Sequence, residues 1–269
     1  MKLSGPVGAA AARMVSSVSE AGVAWLLEGI MRFVLSQSNR RRRVACWLAA
    51  RFCEGTSCDF SAHTGMMMRD AISLMSDKDT QVNEAATDLL ESIVRVRSAD
   101  ALVPLAPFVR DNLRNAASTF KHRQRADERR LAMTAAPKGA ASAAAGGKSA
   151  SSMSAADAVA AADDREQAEL DKYSLPGLSS PAAIQPFSAI YHFGCIQGRP
   201  EIQEVCARGL GELIEFAPRK ALDKGLLKLG GPLIRMLGPA LVPRTKQAVV
   251  EALFVVLRRG QDSVKALFS

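Results

Sequence analysis

Strand signals are missing from this chain of 269 residues: no alternating run of Val, Ile, Thr or Tyr stands between turn dipeptides. Aromatic side chains are scarce at 5%, so the 48% hydrophobic content is carried by Ala, Leu, Val and Met, the vocabulary of stacked helices. No window of about 18 residues is apolar and charge-free enough to cross a bilayer. The N-terminus does not read as a signal peptide, because Arg13 interrupts its apolar stretch and no clean cleavage site follows. These absences predict a soluble, cytoplasmic, all-α protein.

Motifs for chemistry are absent as well. There is no G-x-x-x-x-G-K-[ST], no G-x-S-x-G and no H-E-x-x-H. Gly230-Gly231-Pro232 and Gly146-Gly147 follow no strand, so neither reads as a phosphate cradle. His63, His122 and His192 each lack a carboxylate or nucleophile close in sequence. The five cysteines have no regular spacing, which fits a reducing compartment better than a disulfide framework. Cys46, Cys53, Cys58 and His63 lie near one another, but none forms a C-x2-C pair. Cys46 and Cys53 fall on an apolar helix, where cysteine acts as a small hydrophobe. The expectation is a non-enzyme without cofactor or metal.

A repeat is present. Residues 81–102 align without a gap on residues 201–222, with Val82 on Ile202, Glu84 on Glu204, Leu90 on Leu210, and Ala101-Leu102 on Ala221-Leu222. In the first copy Val82, Ala85, Ala86, Leu89, Leu90, Ile93 and Val94 fall at i, i+3, i+4, i+7, one face of a helix. The second copy places Ile202, Val205, Cys206, Gly209, Leu210, Leu213 and Ile214 there. A repeated helix with one apolar face buries it against its neighbour, and the result is a helical solenoid. The spacing of turns and helices gives hairpins of about 40 residues, the HEAT period. The run from Leu74 through the Asp77-Lys78-Asp79 turn to Ala85-Ala86 fits that unit. The fold class is therefore all-α, a HEAT/armadillo-like helical-hairpin solenoid interrupted by a low-complexity loop. An irregular helical bundle is the alternative.

The pattern predicts helices over 5–18, 23–35, 40–54, 60–75, 80–97 and 101–120 before the insertion. After it come 181–196, 200–216, 221–237 and 244–259, then a helix over 261–269 that stops mid-pattern. Trp25, Leu26, Ile30, Phe33 and Val34 form the stripe of the second helix, and Val44, Trp47, Leu48 and Phe52 the buried face of the third. Asn39 is placed to cap the third helix and Asp77 or Asp79 the fifth. Pro107 either kinks the helix over 101–120 or moves its start later. Residues 134–162 are almost entirely small and carry nothing to bury. The organisation is thus 1–130 N-terminal repeats, 131–180 a disordered Ala/Ser/Gly-rich insertion with a short helix near 163–173, and 181–269 C-terminal repeats. An end without a polar capping element reads as a fragment of a longer array.

Charge supplies the remaining signal. Lys and Arg number 35 against 27 Asp and Glu, a net +8 compatible with an anionic partner such as RNA. Arg40, Arg41, Arg42 and Arg43 occupy the first turn of a helix, where positive charge opposes the macrodipole and points to an external anion. Lys121, Arg123, Arg125, Arg129 and Arg130 form a second cluster at the mouth of the insertion. A solvated helix start, and a charged helix end offset by Asp127 and Glu128, are the plainer readings. No aromatic residue interleaves these charges in sequence, so base stacking is not indicated.

Residues 175–257 carry a resemblance. They run Leu175-Pro176-Gly177, then Gly198-x-x-Glu201, then Leu210-Gly211-Glu212-Leu213-Ile214, and end on Gly231-Pro232-Leu233-Ile234-Arg235-Met236-Leu237-Gly238. This resembles the later HEAT repeats of the general-control-nonderepressible translational activator family, and Ser38–Leu113 is similar to the repeats that precede them. Pro239, Leu241 and Thr245 depart from the family's pattern. The resemblance implies a scaffold that binds stalled ribosomes and passes amino-acid-starvation stress to the kinase of initiation factor 2, with the kinase contacted only by segments outside this chain. It makes the nine clustered cations candidates for contact with ribosomal RNA or protein. A generic HEAT scaffold of the transport-receptor or phosphatase type, binding other protein partners, is the alternative.

Overall fold

The computed structural model describes residues 5–134, 165, 167–222, 225–238 and 241–268. The helices are α1 (Pro6–Ser16), α2 (Glu20–Met31), α3 (Asn39–Gly55), α4 (Ser61–Ser73), α5 (Thr80–Val96), α6 (Ala99–Leu102) and α7 (Ala106–Thr134). They continue as α8 (167–172), α9 (Pro181–Gln197), α10 (Pro200–Phe216), α11 (Arg219–Leu222), α12 (Leu226–Met236) and α13 (Pro243–Phe268). There is no strand among the described residues.

The apolar stripes bring these helices into two layers. In one layer α1, α3, α5, α9 and α12 each pack on the next, and in the other α2, α4, α7, α10 and α13 do the same. Glu20 and Ser61, which open α2 and α4, are 41 residues apart, as are Asn39 and Thr80 of α3 and α5. The architecture is a HEAT-type solenoid with a continuous core. That core includes Leu27, Phe52, Met67, Ile72, Leu89, Ile93, Phe187, Leu210 and Leu213, all buried. Fully burying one such side chain contributes roughly 1.5–3 kcal/mol. The repeats on either side of the insertion pack directly on each other through α5 with α9 and α7 with α10.

One relationship is not visible in the sequence repeat. The matching copies, α5 and α10, lie in opposite layers. Of the layer-forming helices only α7 and α9 separate them, and the insertion fills the remaining length.

Several elements differ from their predicted form. Helix α7 starts at Ala106, after a 3-10 turn over Val103–Leu105, so Pro107 sits in its first turn. It then runs on to Thr134, because residues 121–133 contain neither Gly nor Pro and consist mostly of Arg, Ala and other good helix formers (Lys121, Gln124, Glu128, Leu131, Met133), which propagate a helix once it is nucleated. The insertion's margins are therefore ordered: 131–134 belong to α7, and α8 with Leu175 and Leu178 is packed, both leucines fully buried. Residues 135–164 of the predicted insertion lie outside the described residues. The helix predicted over 221–237 is split into α11 and α12, with Gly225 at the N-cap of α12. The two predicted C-terminal helices are one, α13.

Helix α3 buries Phe52 as predicted but is otherwise rotated from its predicted face. Ala45, Cys46, Ala49, Ala50, Phe52 and Cys53 are buried, whereas Val44, Trp47 and Leu48 are half-buried. Small side chains let α1 and α5 approach α3 closely, and the bulkier ones turn outward. Trp25 and Phe33 of the predicted stripe are exposed, at 82% and 49%. Cys46, Cys53, Cys195 and Cys206 are core residues, and burial pushes the thiols of Cys46, Cys53 and Cys206 up to about 12.

Candidate functional site

The four arginines at the start of α3 do not act as one cluster. Arg42 is half-buried, with Nε 2.9 Å from Asp77 Oδ2, Nη1 donating to the Ser36 carbonyl at 2.7 Å and Nη2 to Asn39 Oδ1 at 2.7 Å. Arg43 donates to Gln81. Asn39 is not the cap of α3, since Ser38 precedes the first helical residue. Asn39 instead donates to Asp79 Oδ2 at 2.6 Å. Asp79 is the N-cap of α5, accepting from the Gln81 backbone N–H at 2.9 Å.

The anion that offsets positive charge at the start of α3 is therefore internal for Arg42 and Arg43. It is the Asp77–Asp79 turn of the following repeat. Burial raises the Asp79 carboxyl, but hydrogen bonds from Asn39 and from the backbone of Gln81 and Val82, with the charge of Arg43, outweigh it and hold the group below its ordinary range. Arg40 and Arg41 point elsewhere. They are exposed, and their side chains make no hydrogen bond or ion pair with another described residue.

The second cluster stands on the C-terminal overhang of α7. Lys121, Arg123, Arg125, Arg129 and Arg130 are all exposed or half-exposed there. Arg123 meets the first cluster's turn across a polar cleft of about 960 Å³ lined also by Ser36, Asn39, Arg42, Asp77, Lys78 and Asp79. Lys78 Nζ lies 3.4 Å from Asp127 Oδ2, bridging turn and overhang. The structure thus brings Arg42 and the second cluster to one edge of the solenoid, the edge formed by the hairpin turns.

An aromatic residue joins this edge from beyond the insertion. Tyr173, at the end of α8, has Lys121 Nζ 5.4 Å, Lys172 Nζ 5.5 Å and the Arg125 guanidinium 5.7 Å from its ring centroid. Lys172 also pairs with Glu128 at 2.9 Å, and the carboxylates of Glu128 and Glu169 hold its ammonium above the ordinary range, chiefly through the Glu128 hydrogen bond. Sequence reasoning missed Tyr173 because it lies 48 residues from Arg125 with the insertion between (173 against 125). No local signal marks it.

Residues 5–138 match the family described as stalled ribosome sensor GCN1-like, HEAT repeats. The chain carries a GCN1-like HEAT-repeat region. It is 24% identical over 258 residues to Protein ILITYHIA of Arabidopsis thaliana, covering 95% of this chain and 8% of that protein. It is 20% identical over 253 residues to the stalled ribosome sensor GCN1 of Mus musculus, covering 94% of this chain and 8% of that one. The chain thus spans about a twelfth of the length of these relatives. All nine cations singled out in the sequence fall inside the GCN1-like interval. Tyr173 and Lys172 lie beyond it and reach the site only through the fold.

Proposed function

We propose that this chain is a non-catalytic, cytoplasmic scaffold segment of a ribosome-binding translational activator. In this reading it helps relay stalled-ribosome or amino-acid-starvation stress to the kinase of initiation factor 2, which is contacted by segments outside this chain. The observation that carries the reading is the coincidence of a GCN1-like match with an exposed basic overhang, two of whose cations, Lys121 and Arg125, lie beside the Tyr173 ring. Lys121, Arg123, Arg125, Arg129 and Arg130 stand on the overhang of α7 away from the core, the arrangement that meets phosphates without disturbing the packing. Arg42 and Arg43, engaged with Asp77 and Gln81, hold consecutive repeats together instead of reaching a partner. No helix among the described residues is long and apolar enough to cross a membrane.

The test is co-sedimentation with purified ribosomes over a salt series. Contacts to phosphate release counterions, so binding weakens steeply as salt rises. Changing the five overhang cations to Gln lowers both the affinity and the salt slope while the helical circular dichroism stays intact. Absence of binding at low salt by a folded wild-type chain overturns the reading. Binding to protein that is indifferent to salt favours a generic protein-binding scaffold.

A further inference from the structure

The chain's two tryptophans, Trp25 and Trp47, line the same cleft, and the ribosome reading uses neither. The cleft, of about 780 Å³, lies between α1 and α2 with the first half of α3 as its third wall. Its apolar lining comes chiefly from Val7, Trp25, Leu26, Phe33, Val44 and Trp47. Trp25 is 82% exposed, an unusual position for a side chain that gains so much from burial. Along α2 and the 3-10 turn that follows it (Arg32–Leu35) the wall runs from Trp25 to Phe33, about 13 Å at the two helical rises, and along α3 from Arg41 to Leu48, about 10 Å. Charge enters only through Arg40 and Arg41, at the start of α3. These are the two arginines of the first cluster left without a described partner.

We infer that this cleft is a docking groove for an amphipathic α-helix of a partner protein, a helix with bulky apolar side chains on one face and Asp or Glu along the flank that meets Arg40 and Arg41. Walls two helical turns long match side chains at i, i+3 or i+4, and i+7, the spacing by which a helix seats in a groove. Trp and Arg are also the residue types that carry the most binding energy at protein interfaces. The two guanidiniums select the partner's charge and set its direction in the groove. An unpaired arginine at an apolar rim is matched by an acidic flank and repels a basic one. Gly29 lies on the floor of the opening, where an added Cβ meets nothing within 4 Å. The groove is thus open at that point, and a side chain introduced there fills it without touching the core.

The experiment uses the whole chain and a pair of synthetic helical peptides with the same Leu/Phe face, one flanked by Glu and the other by Lys. Tryptophan fluorescence reads the groove directly, because both indoles line it. The expected result is saturable change with the Glu peptide and none with the Lys peptide over the same range. Arg40→Gln with Arg41→Gln weakens the Glu peptide by about tenfold, and Gly29→Leu abolishes its binding while thermal unfolding is unchanged or raised. Equal response to the two peptides overturns the proposal, since the groove is then a generic apolar seam of the kind that stacks a neighbouring repeat. A spectrum that shifts with protein concentration alone, with a dimer in sedimentation velocity, overturns it in favour of a second copy of this chain. Absence of any peptide response by a folded monomer overturns it outright. Ribosome co-sedimentation of the same Gly29→Leu variant separates this groove from the basic edge, because α7 is untouched.

Discussion

Gly209 exists to make room for Tyr191. A Cβ built on Gly209 stands 2.7 Å from two ring carbons of Tyr191, and that ring is fully buried between α9 and α10. At the matching positions of the first sequence copy the sizes are reversed. Ala71 stands where the second copy has Tyr191, and Leu89 where it has Gly209, both fully buried. Between α9 and α10 the bulk is thus carried by the ring of α9, with Gly209 leaving the space for it.

Gly209→Ala is accordingly expected to destabilise despite the better helix propensity of alanine. Propensity favours alanine by about 1 kcal/mol in an open helix, but overpacking a core costs typically about 1–3 kcal/mol. The rigid ring has no exposed side toward which to move. Urea unfolding reads the balance, and the double change Tyr191→Leu with Gly209→Ala is expected to recover most of the loss. A single variant as stable as the wild type refutes the account in which Gly209 is needed for the Tyr191 ring.

How much of this was legible in the sequence follows from what periodicity measures. Helix α10 falls at its predicted residues, Pro200–Phe216, because its apolar stripe is clean and a proline opens it. Of its predicted face helix α3 fully buries only Phe52, because it is apolar on more than one side and only its neighbours decide which side closes. The arginines at its start looked like one charge cluster because spacing records positions and not partners. The Asp77 that neutralises Arg42 lies 35 residues on (42 to 77), in the next repeat. Tyr173 reaches the basic edge only because α8 folds back after the insertion, an approach no local pattern encodes. The layer change between α5 and α10 was hidden for a related reason: a gapless alignment counts residues, and here the insertion supplied part of the count.

Asp79 makes stability depend on pH at the acid end. Its folded carboxyl lies below the ordinary range, so its contribution is fully present above the unfolded value near 4 and is lost as pH falls through the folded value. Asp79→Asn keeps an oxygen to cap α5 but removes the charge opposite Arg43. The variant is expected to lose little at pH 7, where the partly exposed pair is screened by solvent. Its stability is also expected to fall less steeply than that of the wild type between about pH 5 and 3. Urea midpoints measured across that window check this, and parallel acid limbs for the two proteins contradict it.

Arg259 holds the returning segment in place. Its side chain is fully buried on α13, with Nη2 2.9 Å from Asp171 of α8 and 2.5 Å from the Ala217 carbonyl, and Nη1 3.1 Å from Gln167 Oε1. Asp171→Ala leaves a buried guanidinium without its counter-charge, a change that costs about 3–5 kcal/mol. Arg259→Met, which removes the buried charge and keeps an apolar stem, is expected to cost less. The order of the two variants in thermal melts is the measurement. Equal loss in both means that packing, not the charge pair, dominates at this site.

The same clamp has a consequence for the basic edge, because α8 carries Tyr173. If Tyr173 and the three cations around it meet ribosomal RNA together, Tyr173→Ala removes a stacking surface worth about 1–3 kcal/mol per base without changing the number of charges. Lys121→Gln with Arg125→Gln does the opposite, lowering the salt slope by about one for each phosphate no longer neutralised and leaving the ring. Titrating ribosomes against each variant at several salt concentrations separates the two effects: an intercept that falls at constant slope for Tyr173→Ala, and a slope that falls for the charge variant. Asp171→Ala should imitate Tyr173→Ala in this assay if its local loss of α8 docking leaves the rest of the solenoid folded, which amide exchange over α3 and α5 verifies. Ribosome affinity unchanged by Tyr173→Ala, in a chain whose charge variant still weakens, reduces the edge to an electrostatic surface in which the aromatic ring only braces the cations beside it.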